Sequence, residues 1–469
     1  MKSIPIYTWN KGVRNSERYY NVFFKRPWAQ GVVLIICVVI AMLLANLPFT
    51  KDVYHSVLET NFSLYIQAPD GDQIMFPKDM TVESFINDIL MTIFFFTVGL
   101  EIRREMKTGE LSSPKKAMMP IIAALGGVLA PAIIFTCLNA GTASASGWGI
   151  PTATDIAFAV GILSILGDKV PLSLKVFLTA LAIADDLIAI LVVAIFYGGE
   201  IHFGLLGIAA LLILFGVIAN KLGEKRGIFY LVPALAIWTI FYYAGVHSTM
   251  SGVVMAFLVP MTPRYSESYF RTKSRRCYRR LSEIADGPFP NHHQRHYLRK
   301  IAKVSNGSVS MSDRMEHKLS PIVNFIIMPL FALANAGVEI ADPSYLKIFS
   351  FDSLTGGVGL GIFLGLVVGK PLGISLASWL AIKLKVGQMP SNASWKMLIA
   401  VACLGGIGFT MSIFVDTLSF SGQSPEMMHQ LRSMGKVAVL MASLTAGVLG
   451  SLLINIVSRL ERRSEKEAG

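Results

Sequence analysis

Charge is what this chain has least of. Only 15% of its 469 residues are Asp, Glu, Lys or Arg, against 53% hydrophobic, and the mean hydropathy is +0.56. Soluble domains carry about 25% charged residues, so the composition excludes an ordinary water-soluble fold and predicts an all-α polytopic membrane protein. Cysteine is scarce too. Cys37, Cys137, Cys277 and Cys403 are scattered, three of them in apolar stretches, and they offer neither a disulfide frame nor metal-ligand spacing. They read as small apolar fillers. The basic stretch before the first apolar run (Lys2, Lys11, Arg14, Arg18, Lys25, Arg26) is followed by no small-x-small cleavage site. An uncleaved signal anchor is expected there.

What is present is a series of apolar runs. Helix-length windows predict about twelve transmembrane helices, beginning near Gly31, Ser84, Lys116, Gly149, Leu172, Phe203, Gly227, Val246, Leu319, Gly357, Trp395 and Leu431. The eighth, Val246 to Pro260, is short for a span. Lys and Arg crowd the N-terminus, the 2–3, 6–7 and 8–9 connections and the tail, and are few in the alternate ones. The positive-inside rule then puts both termini in the cytoplasm. The net charge of +12 is mostly this topology signal and needs no nucleic acid. The expected organisation is a basic cytoplasmic N-terminus (1–26), spans 1–8 (27–263), a cytoplasmic loop (264–318), spans 9–12 (319–458) and a cytoplasmic tail (459–469).

Two polar segments stand out. The 264–318 loop holds thirteen Lys/Arg against five acids, and four of the eight histidines (His292, His293, His296, His317). It reads either as a basic loop beside anionic lipid or as a pH-responsive element. In the external segment at about 60–78, Phe62, Leu64 and Ile66 alternate with polar positions, and Asp70-Gly71 offers a turn before Ile74 and Phe76. This predicts a β-hairpin. A lone hairpin is marginal in water, so pairing with a second copy in a homodimer is expected.

Against this apolar background a few charges are costly. Asp185 and Asp186 are the only ones between Val176 and Gly199, Asp155 the only one between Asn139 and Gly167, and Lys370 the only one from Val358 to Ile382. Each costs roughly 2.5–3.5 kcal/mol or more at mid-membrane unless paired, solvated or protonated. Neighbours on a helix point about 100° apart, so one of the two aspartates can meet Lys370 while the other opens onto a wet path. Burial raises a carboxylate pKa and a nearby cation lowers it, so a cavity can bring such groups into the neutral range. Asp88 and Glu101 bracket span 2, and Glu101 adjoins Arg103 and Arg104 at the interface.

Two spans look broken. Span 4 reads Gly149-Ile150-Pro151-Thr152-Ala153-Thr154-Asp155, and span 11 carries Gly405-Gly406-Ile407-Gly408-Phe409-Thr410 near its middle. Glycine weakens a helix, and peeled backbone at this depth needs protein or a wet cavity around it. Ordinary glycine-packed helices are the alternative. Spans 3–5 and 10–12 each place the interruption in the middle of three, the order expected of an inverted-topology repeat.

These runs carry a resemblance. Thr152-Ala153-Thr154-Asp155-Ile156-Ala157-Phe158-Ala159, Leu181-Ala182-Ile183-Ala184-Asp185-Asp186-Leu187, Val368-Gly369-Lys370-Pro371-Leu372-Gly373 and Gly405 to Ser412 are similar to motifs of NhaA-family sodium/proton antiporters. So are Val98-Gly99-Leu100-Glu101 and Gly245-Val246-His247, and the similarity extends from about Pro27 to Leu460. The resemblance implies two crossed, discontinuous helices (spans 4 and 11) and exchange of Na⁺ or Li⁺ for H⁺, with no cofactor. By motif, Asp186 would be the principal cation ligand and Asp185 its proton-carrying neighbour, paired with Lys370. Thr154 and Asp155 would support the site, with Gly405, Gly406 and Gly408 in the unwound helix. Glu101, His247 and Glu316 match positions of the pH response, and Asp88 a structural buried acid. The long basic loop is the departure from the family pattern.

The mechanism expected is competition, because a carboxylate that holds a proton cannot also coordinate Na⁺ well. An intramembrane aspartyl protease also uses buried aspartates but needs Gly-x-Gly-Asp, which is absent. In a cation channel, titratable acids in the path would trap protons. A proton-coupled carrier of K⁺ or an organic substrate is the other transporter reading; the sequence offers little aromatic or Arg-rich lining for an anionic organic substrate, which favours a small cation.

Overall fold

The structure, a computed structural model, describes residues 27–61, 64–67, 73–76, 80–199, 201–284, 290–339, 349–352 and 355–468. The basic segment 1–26 lies outside them. The first helices are α1 (Pro27–Asn46) and the short α2 (Lys51–Glu59). The predicted hairpin follows: β1 (Leu64–Gln67) pairs antiparallel with β2 (Gln73–Phe76), Leu64 opposite Phe76 and Gln67 opposite Gln73. The turn expected at Asp70-Gly71 falls outside the described residues.

Long helices then dominate: α3 (Val82–Thr108), α4 (Pro114–Asn139), α5 (Ile156–Leu166), α6 (Leu172–Phe196), α7 (Phe203–Lys221) and α8 (Ile228–Ala244). After the nine-residue α9 (Met250–Leu258), two helices occupy the basic loop, α10 (Glu267–Ser282) and α11 (His292–Ser308). The rest are α12 (Met311–Asn335), α13 (Val358–Lys383), the pair α14 (Trp395–Leu404) and α15 (Phe409–Leu418), and α16 (Pro425–Ala468). Helix α12 starts well before the apolar run at Leu319. Ser310 caps it, its hydroxyl accepting from Asp313 N at 3.0 Å.

Among the described residues, nine helices are long and apolar enough to cross a bilayer, ten if the bent pair α14–α15 counts as one. Helices α8 (17 residues) and α9 (9 residues) fall short of the ~20 residues of an untilted span. The surface confirms the solvent: Phe203 is 80% exposed, Leu172 76% and Leu444 71%, apolar surface that water would not tolerate in such quantity.

At two prolines the helical backbone widens. Pro329 and Pro371 each follow by two residues a π-helical turn, Val323–Ile327 and Gly365–Gly369. A proline ring clashes with the carbonyl four residues earlier, which in both cases is the middle of the widened turn. The second turn runs directly into Lys370. A third π-turn, Phe85–Leu90, contains Asp88. Such turns re-aim side chains.

The closest helix crossing lies between α4 and α13. A Cβ built on Gly126 would stand 2.4 Å from the Gly373 carbonyl oxygen, and one on Gly373 would stand 2.1 Å from that of Gly126. Only glycine on both sides permits this backbone contact. It draws α13, and Lys370 one turn before Gly373, against the helix that precedes the first break.

Candidate ion-binding site

The site begins with two interruptions of helical hydrogen bonding. A 3₁₀ stretch, Ala145–Thr152, ends in extended backbone at Ala153 before α5 begins. Tyr197 braces that stretch: its hydroxyl accepts from Gly149 N at 3.0 Å and donates to the Ser146 carbonyl at 2.8 Å. Helices α14 and α15 are bent by 49° at their glycine-rich break. The two breaks hydrogen-bond to each other. Asp155 N donates to the Ile407 carbonyl at 2.7 Å, and Thr154 Oγ1 to the Gly405 carbonyl at 2.8 Å. Gly408 lets the breaks approach, since a Cβ there would stand 3.0 Å from the Ala153 carbonyl, while Gly406 abuts α13, where a Cβ would stand 2.3 Å from the Leu366 carbonyl.

Asp155 serves both broken helices. Its Oδ1 accepts from Phe158 N at 3.2 Å, capping α5, while Oδ2 accepts from Thr410 N at 3.1 Å and from the Thr410 hydroxyl, capping α15. Each helix N-terminus presents unpaired N–H groups and about half a positive charge. One carboxylate answers both.

Against this junction lie Asp185 and Asp186 of α6, 0% and 3% exposed, and Lys370 of α13, 0% exposed. Helix geometry left open which aspartate meets the lysine, and the resemblance implied Asp185. It is Asp185, whose Oδ2 accepts from Lys370 Nζ; the same ammonium donates to Thr154 Oγ1 at 2.7 Å. Asp185 Oδ1 and Asp186 Oδ1 are buried with no hydrogen-bond partner among the described residues. The charges that act on Asp186 are those of Asp185, Asp155, Glu101 and Lys370.

Two buried carboxylate oxygens without donors are costly in a dry interior, and they fit a cation. Among the described residues no three His, Cys, Asp or Glu are grouped so as to hold a metal ion by themselves. Hydroxyl and carbonyl oxygens would therefore complete any coordination shell. The carbonyls of Gly405 and Ile407 in the unwound segment are engaged by Thr154 and Asp155.

The remaining sequence candidates separate into two groups at opposite ends of the bundle. At the end carrying α10 and α11, Arg104 stands among three carboxylates: it pairs with Glu316 and lies 3.5 Å from Glu105 and 3.7 Å from Glu101. At the hairpin end, Asp88 accepts from Ser248 Oγ at 3.0 Å, and the neighbouring His247 shares a 2.8 Å hydrogen bond with Thr249 and packs its ring edge against Phe414. Asp88, His247, Ser248 and Tyr197 line a cavity of about 210 Å³ there. His247 is thus not joined to Glu101 and Glu316. Of the loop histidines, His292, His293 and His296 lie exposed along the first half of α11.

One buried acid escaped the sequence reading. Asp416 in α15 is 0% exposed, and neither carboxylate oxygen has a hydrogen-bond partner among the described residues. It presses on Gly435 of α16, with Arg432 and Lys436 the charges that reach it. Its signal, a lone acid between Phe409 and Leu418, was as plain as that of Asp155 but stood past the glycines that drew attention.

Comparison with known proteins bears on all of this. The profile of a family described as Na⁺/H⁺ antiporter 1 matches residues 21–454. The Na⁺/H⁺ antiporter NhaA of Oleidesulfovibrio alaskensis is 40% identical over 442 residues, covering 93% of both chains. The Na⁺/H⁺ antiporter NhaA 2 of Flavobacterium johnsoniae is 39% identical over 444 residues, covering 93% of this chain and 92% of its own. Among solved structures, the sodium proton antiporter MjNhaP1 from Methanocaldococcus jannaschii covers 91% of this chain and 96% of its own at 12% identity and a TM-score of 0.49. That likeness is too distant to carry an argument. A family match across both breaks, the acid pair and the buried lysine, with such identity over almost the whole length, makes the chain a member of the NhaA family of Na⁺/H⁺ antiporters.

Proposed function

We propose that the chain exchanges cytoplasmic Na⁺ or Li⁺ for external H⁺ across a bacterial inner membrane, at Asp185 and Asp186. The observation that carries this reading is the pair of donorless carboxylate oxygens at the junction of two broken helices. Sodium is a hard cation and favours such oxygen ligands. Protons compete for the same atoms, so an acid that gains Na⁺ gives up H⁺ and the reverse. Lys370 holds Asp185 Oδ2, so a cation that also takes that oxygen breaks a buried pair, while Asp185 Oδ1 and Asp186 Oδ1 stand open to it. Alternating access then carries the Na⁺ form one way and the protonated form the other.

Exchange of more than one H⁺ per Na⁺ would move net charge, worth about 2.3 kcal/mol per charge per 100 mV. An inside-negative potential would then drive Na⁺ out. The positive-inside rule supports cytoplasmic termini and puts the α10–α11 end, with Glu101, Arg104 and Glu316, on the cytoplasmic side. Regulation by pH would act there and through His247 at the opposite mouth. The β1–β2 hairpin, too small to be stable alone, supports a homodimer joined through its edge.

Liposomes loaded with acid, followed by internal pH on addition of Na⁺, Li⁺ or K⁺ between pH 6 and 9, test the reading. Proton efflux with Na⁺ or Li⁺ that Asp186→Asn abolishes is the expected result. Undiminished exchange by that variant would move the site elsewhere.

A further inference from the structure

We propose that the cavity between α11 and the nearby ends of α8, α9 and α12 binds a phosphate-bearing anion. The cavity holds about 470 Å³ and is lined by Lys225, Arg264, Arg299, Lys303 and Arg314, with Tyr265 as an aromatic wall and no carboxylate. Five cations from four chain segments thus converge on one space. Among the described residues none of the five forms an ion pair. Arg299 and Lys303 stand four apart on α11, where like charges repel. Arg314 adds the sharpest signal, for its Nε is buried with no hydrogen-bond partner among the described residues.

The walls are built rather than incidental. Arg264 N and Tyr265 N both donate to the Gly307 carbonyl, at 2.7 and 3.0 Å, clamping the segment after α9 to the last turn of α11. The Tyr265 ring fills the space a Cβ on Gly307 would need, at 2.5 Å, and stacks on Tyr269 at 4.9 Å between centroids. Lys225 Nζ is fixed on the Pro263 carbonyl at 2.6 Å. A positioned, uncompensated set of guanidinium and ammonium groups fits the oxygens of a phosphate, which arginine holds through paired N–H donors. The volume exceeds what a phosphate alone fills and falls within the range of small-molecule pockets. A phosphate ester is the class indicated, either a free metabolite or a lipid headgroup.

Thermal unfolding of the full-length protein, wild type and Arg299→Glu/Lys303→Glu, tests this. Both substituted residues are exposed on α11, so the variant should fold without ligand at least as stably as the wild type. One arm adds inorganic pyrophosphate in detergent at constant ionic strength. The other compares phosphatidylcholine nanodiscs with and without phosphatidylglycerol. A ligand at a hundred times its Kd raises the folded-to-unfolded ratio about a hundredfold, a readily measured rise in Tm. A saturable rise with pyrophosphate that the variant lacks supports the site and names a soluble ligand. A rise with phosphatidylglycerol alone, again lost in the variant, supports it and names the lipid. No rise in either arm, or equal rises in both proteins, would overturn the proposal.

Discussion

At the scale of single residues, the arrangement of Asp185, Asp186 and Lys370 has a direct consequence for pH. If Na⁺ binds at the proposed site, protons compete with it for the same carboxylate oxygens, so acidification weakens cation binding and alkalinisation strengthens it. The KM for Na⁺ should therefore rise as pH falls, by about tenfold per unit for each proton displaced where the acids are largely protonated. Initial rates in proteoliposomes between pH 6 and 9 would test this, and a KM flat across that range would rule out direct competition. Lys370 makes a second prediction. Its ammonium holds both Asp185 and Thr154, and breaking a buried pair by removing one partner costs about 3–5 kcal/mol. Lys370→Gln should lower Tm and, if the lysine carries one of the exchanged protons, render exchange insensitive to membrane potential. Potential-driven flux that persists in a folded variant would leave Lys370 a purely structural part.

At the scale of elements, the contact between α4 and α13 is the most exacting in the fold. Gly373→Ala would put a methyl group 2.1 Å from the Gly126 carbonyl oxygen. Overpacking of this kind costs about 1–3 kcal/mol, and because Lys370 lies one turn away, exchange should suffer with stability. Thermal unfolding and antiport assays on that variant check both effects; an unchanged Tm would mean that the helices part easily. Such contacts also mark what sequence could reveal. The breaks at Thr152–Asp155 and Gly405–Gly408 were legible because helix-breaking residues and charges are conspicuous in an apolar run. That the breaks bond to each other was not, since Asp155 N and the Ile407 carbonyl are more than two hundred residues apart and backbone groups carry no sequence signature. The pairing of Asp185 rather than Asp186 came from the resemblance alone, for a related reason. Which of two adjacent side chains meets Lys370 depends on the rotation of α6 and the π-turn before Lys370, and neither is written in the residue types. Asp416 shows the converse, a visible acid whose burial depends on how α16 lies across α15.

At the scale of the whole molecule, the hairpin projects from a bundle that needs no strands for its own packing. If it joins two copies, replacing residues 64–76 with a short Gly/Ser linker should leave a folded, transporting monomer. Cross-linking in native membranes would then show loss of the dimer, and a dimer that survives would place the interface elsewhere. Under the proposed alternating access, movement of the two broken helices would meet a mechanical constraint at Asp155. One carboxylate closes the ends of α5 and α15 together, so pulling these helices apart would strip hydrogen bonds from both at once. Tilting them about that point would keep every bond. Asp155 is thus placed as a fulcrum, a fixed point near which Asp185 and Asp186 could turn between two faces of the membrane while hardly travelling at all.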